Sequence, residues 1–323
     1  MSVGEGDTSS KARRLSASGG SVAEARVSRQ LSYRVHPLEN GVPPAWASAW
    51  GQDRYGVWAG FAVGDVLHRM RFIPPGSFVM GSPEGESGRY DDEGPQHQVK
   101  ISRGFFLGET PCTQALWQAV MGANPGRFVD PRRPVENVSW NDCQAFIAAL
   151  NERVPSLGVH MPTEAEWEYA CRAGTATATY VGDLEILGRN NAPMLDAIAW
   201  YGGNCGVEFE LEGGWDTTGE LWEDKQYAFE RGGSHPVGGK QPNPWCLYDM
   251  LGNVLEWCDD GLRTYGKEAV TDPSGPREEG SPRVVRGGPW DSDARGVRAA
   301  CRDGLEPGRR YDALGLRVAR GQE

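Results

Sequence analysis

The residues best equipped for chemistry lie near the end of the chain, where Arg295, Arg298, Arg302, Arg310 and Arg317 recur as a framework through Val285 to Arg317. A guanidinium is a permanent planar cation with five donors, so spaced arginines among glycines can tie an irregular backbone to carbonyls and carboxylates. Just before and between them stand Asp291, Ser292, Asp293, Gly296, Cys301, Asp303, Leu305, Arg309, Tyr311, Asp312 and Ala313, which share no chemical type. Such a pattern separates residues that hold a shape from residues that shape displays. Other candidates are weaker. Asp91, Asp92 and Glu93 form a short acidic run between Gly88 and Pro95, which reads as a solvated loop. The five histidines (36, 68, 97, 160, 235) have no helical i, i+3 or i, i+4 partner and read as structural imidazoles.

The elements that would position these residues are few. The chain has 44 glycines, 22 prolines and 12 tryptophans among 323 residues, a mixture that interrupts regular structure and supplies large anchors between loops. A helix is expected from Ser139, with Asp142 at the capping-box position and Cys143, Phe146, Ile147 and Leu150 as its apolar stripe. Another opens at Thr163 with Glu166 three residues on, carries Trp167, Ala170 and Cys171 on one side and stops before Gly174; a shorter one spans Thr113 to Met121. Strands are expected at 57–63, 66–72, 77–80, 98–101, 283–286 and 314–319. From about 175 to 245 the pattern dissolves into Gly, Asn and aromatic residues, and Ala199–Asn204 with Trp215 and Trp222 reads as gap filling in a sheet-poor core.

Residues 1–33 are Ser-, Gly- and charge-rich with little to bury and are expected to be a disordered arm, leaving 34–323 as one domain. With 39% hydrophobic residues that domain can bury a substantial core. A net charge of -11 and a pI near 5.1 argue against nucleic acid and anionic membrane partners. No apolar run reaches spanning length, no signal sequence is evident, and seven widely spaced cysteines in apolar contexts suit buried thiols of a cytoplasmic protein.

Five ordered motifs then carry a family resemblance: Phe72–Ser82 (FIPPGSFVMGS), Pro134–Trp140 (PVENVSW), Met161–Gly174 (MPTEAEWEYACRAG), Leu247–Trp257 (LYDMLGNVLEW) and Arg286-Gly-Gly288. Together they resemble the sulfatase-modifying-factor, or formylglycine-generating enzyme, family of bacteria and other organisms. The resemblance implies an α+β, irregular C-type lectin-like fold with low secondary-structure content. Catalytic members hold copper with two cysteines, four and nine residues after the last glycine of Arg-Gly-Gly; here those positions are Ser292 and Val297. Soft Cu(I) needs thiolates, so no copper and no formylglycine synthesis are expected. The thiol-histidine sulfoxide synthase branch of the family is disfavoured by the isolated histidines.

The family's calcium turn maps onto Asp249, Gly252, Val254 and Glu256, implying a structural calcium ion held by two carboxylates and two carbonyls; the alternative is that Glu256 pairs with an arginine. A second such site would fall near Asn190 or Asn191. The stretch 285–317 resembles the variable region of diversity-generating retroelement proteins, in which adenine-directed mutagenesis of asparagine codons never yields Lys, Gln, Glu, Met or Trp. All eleven interleaved residues named above are permitted products. The resemblance thus implies a noncatalytic protein binding a protein or other macromolecular ligand at its C-terminal face. The alternatives are an oxidase acting on a protein or small-molecule thiol, and a structural or regulatory subunit.

Overall fold

The computed structural model describes residues 44–278 and 280–321. The expected arm at 1–33 and the proposed start of the domain lie outside them.

Sequence-local rules set the elements. Strands β1 (Ala49–Asp53), β2 (Gly56–Val63), β3 (Val66–Ile73), β4 (Gly76–Met80), β5 (His97–Ile101) and β6 (Phe105–Gly108) come first. Strands β2 and β3 are joined by Gly64-Asp65, a two-residue turn that places Val63 opposite Val66; Gly64 supplies the left-handed φ of +57° that such a hairpin requires. Helix α1 (Gln114–Met121) is capped by Thr113, whose hydroxyl accepts from the Leu116 amide at 3.2 Å. In α2 (Trp140–Arg153) and α3 (Glu164–Arg172) the capping boxes Ser139/Asp142 and Thr163/Glu166 are both closed. Helix α2 buries the four expected apolar residues. Helix α3 is buried on all sides, not on the single face its apolar residues suggest: Glu164, Glu168 and Arg172 lie inside with Trp167 and Cys171.

The later chain adds β7 (Trp215–Asp216), β8 (Arg231–Gly232), β9 (Leu255–Gly261), β10 (Val270–Thr271), β11 (Arg283–Arg286), β12 (Arg302–Leu305), β13 (Leu314–Leu316) and β14 (Ala319–Gly321). These build an antiparallel five-stranded sheet β1-β2-β3-β6-β14, a four-stranded sheet β12-β11-β9-β13, a three-stranded sheet β10-β5-β4 and the small β7-β8 ribbon. The expected single strand 314–319 is two strands. Residue Arg317 turns inward to Glu256, so β13 pairs with β9 while β14 crosses to β6.

One core packs Trp167, Ala170 and Cys171 of α3 against Met250, Leu251, Val297 and Ala299. Another lies between the large sheet and helices α1 and α2, with Trp257, Val285 and Leu314 closing it. A smaller cluster joins Phe128, Cys205, Trp290 and Ala313. The segment Ala199–Asn204 is buried as expected, whereas Trp215 is 43% exposed. The seven cysteines are all free thiols, six buried and Cys301 partly so. Among the described residues, no helix is long and apolar enough to cross a membrane.

Between the cores sits Glu136 of the PVENVSW motif, wholly buried, with one carboxylate oxygen accepting from the backbone amides of Arg127 and Phe128. Burial pushes its pKa up to about 7 from an ordinary 4.5. Because the folded value is raised, Glu136 favours the fold fully below pH 4.5, and that contribution is lost as pH rises through 7. Between pH 5 and 8 the native protein should lose about 1–3 kcal/mol from this group that Glu136→Gln does not lose. Chemical denaturation of both proteins across that range measures it; parallel pH profiles would contradict the assignment.

Candidate functional site

Strand β11 ends in Arg286, and the chain then reverses through Gly287 and Gly288 at φ of +110° and +69°. A Cβ on Gly288 would stand 2.6 Å from the carbonyl oxygen of Gly296, so the Arg-Gly-Gly motif is a steric requirement of this turn. The turn opens one end of a pocket of about 370 Å³. Its walls include Gly287, Gly288, Pro289, Ser292, Gly296, Cys301 and Asp303 from the C-terminal region, with Tyr90 and Asp92 from far upstream. Four of the eleven interleaved residues, Ser292, Gly296, Cys301 and Asp303, therefore share one cavity.

The arginine framework forms the pocket's foundation. Arg298 is fully buried and holds Glu93 with both terminal nitrogens, Glu86 at 2.7 Å and the Arg295 carbonyl at 2.8 Å. Arg302 binds both oxygens of Glu164 at 2.6 and 2.9 Å, and reaches the carbonyls of Asp92 and Arg263. Arg286 donates to Glu168 and to the carbonyl of Cys301 at 2.5 Å, fixing the pocket's thiol-bearing residue. The expectation for Arg298, Arg302 and Arg317 thus holds. Arg295 and Arg310 also bind carbonyls and a carboxylate, but from the surface rather than from within, since both are exposed. Arg295 spans the carbonyls of Gly88 and Arg89 and stacks 3.7 Å from the Tyr90 ring centre, while Arg310 grips Asp142 and holds its carboxyl at about 2. The acidic run is corrected: Asp91 and Asp92 are exposed, but Glu93 is the buried partner of Arg298.

The interleaved residues do not all face solvent. Asp291, Asp303 and Arg309 are exposed; Ser292, Asp293, Cys301, Leu305, Tyr311 and Asp312 are half-buried; Gly296 and Ala313 are buried. Gly296 admits no side chain without moving its neighbour, because a Cβ there would fall 2.2 Å from Ser292 Oγ. Ala313 packs against Phe128, Cys205 and Trp290 and is a core residue. Asp293 caps a turn by accepting from the Gly296 amide at 3.0 Å. Beyond the pocket, Tyr311 and Arg309 adjoin, and Asp312 receives the indole N–H of Trp215, so the aromatic insertion flanks the same face. Tyr90, Asp92 and Pro289 were not legible as site residues; a Gly-Arg-Tyr-Asp-Asp-Glu run some 200 positions upstream carries no signal of where it returns.

The two positions that correspond to copper-binding cysteines are separated by burial: Ser292 lines the pocket while Val297 is sealed in the core. The remaining thiol nearby, Cys301, is pushed up to about 12 by burial, which disfavours the thiolate a soft cation needs. These residues do not fit Cu(I). Nor does the calcium turn fit its ion. Both oxygens of Glu256 are taken by Arg317 at 2.8 to 3.0 Å, and Trp167 donates to one of them at 2.7 Å. Asp249 is buried, accepts from the Gly238 amide at 2.7 Å, and is pushed up to about 6 by burial. Gly252 and Val254 form the turn between them, with the Gly252 amide donating to the Gly287 carbonyl, so this segment buttresses the pocket. Asn190 at the second expected site donates to the carbonyls of Leu221 and Glu223. Among the described residues, no group of three or more His, Cys, Asp or Glu is arranged to hold a metal. The described histidines make structural contacts: His160 meets the Met161 carbonyl and His235 that of Cys205, His97 meets the Pro95 carbonyl, and His68 packs on Phe61. His36 lies outside the described residues.

A loop-rich α+β domain with three α-helices among its described residues and an Arg-Gly-Gly turn over a C-terminal pocket is a formylglycine-generating-enzyme-like domain of the C-type lectin-like class. The chain belongs to the family of the sulfatase-modifying factor enzyme 1-like domain, whose model matches residues 64–322. It is 29% identical over 305 residues to a formylglycine-generating enzyme of Streptomyces coelicolor, covering 76% of this chain and 87% of that one. It is 31% identical over 248 residues to the chaperone protein LppX of Paenibacillus barcinonensis, covering 66% and 76% respectively. Among solved structures, Treponema denticola variable protein 1 superposes with a TM-score of 0.64 at 29% identity, over 81% of this chain and 98% of that one. PvdO from Pseudomonas aeruginosa does so at 0.63 and 26%, with the same coverage.

Framework and display differ in energetic weight. Arg298→Ala should destabilise the protein by about 3–5 kcal/mol, because it leaves Glu93 and Glu86 as uncompensated charges in the interior. Asp303→Ala, at an exposed position, should change stability by less than about 0.5 kcal/mol. Tyr311→Ala falls between, at about 1–2 kcal/mol, since its half-buried ring packs on two cores. Urea denaturation of the three variants checks the order; equal losses at 298 and 303 would remove the distinction.

Proposed function

We propose that this protein is a noncatalytic ligand-binding member of its family, which uses the C-terminal pocket and the residues around it as a diversifiable recognition surface. The observation that carries the reading is the division of labour within residues 286–317. Arg286, Arg298, Arg302 and Arg317 are buried and hydrogen-bonded to carboxylates, whereas Asp291, Ser292, Asp293, Cys301, Asp303, Leu305, Arg309, Tyr311 and Asp312 retain access to solvent. A rigid frame carrying replaceable side chains can change specificity without changing fold. Likeness to Treponema denticola variable protein 1 supports this, and Ser292 and Val297 in place of thiols count against the oxidase alternative.

The calcium expectation is not part of the proposal. A cytoplasmic location and a macromolecular partner, rather than nucleic acid or membrane, belong to it as consequences of the free thiols and the acidic surface.

Sequencing the gene and its surroundings tests the reading. A near-copy of its last stretch should lie close by beside a reverse transcriptase, differing at adenines in the codons of the accessible positions while the codons for Arg298, Arg302 and Arg317 match. A locus without such a copy overturns the diversification. Purified protein loaded with Cu(I) should also leave the cysteine of a sulfatase-type peptide unoxidised; formation of the aldehyde would establish an enzyme instead.

A further inference from the structure

The charges around the same pocket bear on the chemistry of its ligand, an inference that rests on the binding reading above. Two exposed carboxylates, Asp92 and Asp303, lie in its wall, and Asp291, Asp293 and Asp312 stand on the segments that continue the face. The buried cations beneath the pocket are already paired. Arg302, the one cationic side chain in the wall, has its Nε and both terminal nitrogens bound to Glu164 and to two carbonyls, and its charge is balanced by that carboxylate. Arg298 is balanced by Glu93 and Glu86, and Arg286 by Glu168. Arg310 is bound to Asp142 outside the pocket. Arg127 lies over the Trp215 ring and is paired with Asp312 at 3.5 Å, Arg295 sits over the Tyr90 ring and donates to two carbonyls, and Arg309 stands beside Tyr311. Among the described residues neither Asp92 nor Asp303 in the wall forms an ion pair, and the apolar residues Leu255, Val285 and Pro289 line the same pocket.

We propose that the pocket receives the lysine or arginine side chain of a partner polypeptide, whose neighbouring residues lie across Asp303 and Tyr311 toward the exposed Trp215. The methylene stem of such a side chain suits the apolar wall, and its charged end meets Asp92 and Asp303 at the rim. A volume of about 370 Å³ accommodates one long side chain with room for water. A polypeptide satisfies both the acidic pocket and the flanking aromatic residue Trp215, which is 43% exposed and donates its indole N–H to Asp312. An acidic or phosphorylated ligand would meet like charge at Asp92 and Asp303 in the pocket itself.

The test is to pan a library of random peptides displayed on phage against the intact protein, and to measure selected peptides by calorimetry. Binders should be enriched in lysine and arginine. Their affinity should fall about five- to tenfold in Asp303→Asn and in Asp92→Asn, and fall with rising salt, since exposed charge pairs are screened. Both variants change exposed residues, so unchanged melting curves confirm that folding is intact. Peptides that lose affinity in Ser292→Trp, which fills the pocket, but show no basic enrichment would overturn the charge assignment and leave the binding reading standing. Basic peptides indifferent to all three substitutions would place the charge elsewhere and overturn the assignment as well. Failure of the binding reading itself is read separately, from the gene's surroundings.

Discussion

The buried arginine–carboxylate lattice is the constraint on which the rest of this structure depends. Glu164 and Glu168 lie on a helix with no solvent-facing side, and each is wholly buried. Charges placed there are tolerable only if paired and hydrogen-bonded, and Arg172, Arg286 and Arg302 do this from one helix and two strands. Arg317 with Glu256, and Arg298 with Glu93, repeat the arrangement at either side. Short strands and a modest helical content supply few ladder hydrogen bonds, so side chains bonded to carbonyls of Gly81, Gly108, Tyr248 and Cys301 carry the backbone's remaining demand.

Fixed in this way, the turn at Gly287-Gly288 and the loop from Pro289 to Cys301 form a cavity without regular secondary structure beneath much of it. Cost and benefit are linked: a loop that irregular would not hold one conformation unless its arginines were anchored, and once anchored it can present different side chains at the surface. The residues that fail as display positions show the same logic. Gly296 is excluded by contact with Ser292 and Ala313 by the Phe128–Trp290 cluster, because they lie where the loop touches its support.

Much of the fold was legible because its signals are local. The boxes at Ser139 and Thr163 and the strands expected at 57–63 and 66–72 need only neighbouring residues, and the structure forms each. Strands β9 and β12 were not legible: Glu256, Asp259 and Asp260, or Arg302-Asp-Gly-Leu, contradict strand preference and are retained by partners distant in sequence. The site was half legible. The alternation of arginines with unlike residues marked the region, but which of them point inward depends on acceptors at least 61 residues away for Arg317 and more than a hundred away for Arg298 and Arg302. Tyr90 and Asp92 could not be placed from the sequence for the same reason.

Those separations also bear on how the chain acquires its shape. Arg298 meets Glu86 and Glu93 across 212 and 205 residues, Arg302 meets Glu164 across 138, and Arg286 meets Glu168 across 118. A ribosome adding about 5–20 residues per second would emit Glu86 and Glu93 roughly ten seconds or more before the arginine that neutralises them. Through that interval α3 and its carboxylates cannot adopt their final environment, and the nascent chain carries acidic groups in apolar segments that remain open. Closure waits for the tail, so folding is dominated by distant contacts and belongs to the slow class. The stretch that offers variety at the surface is thus also the one whose arrival completes the interior.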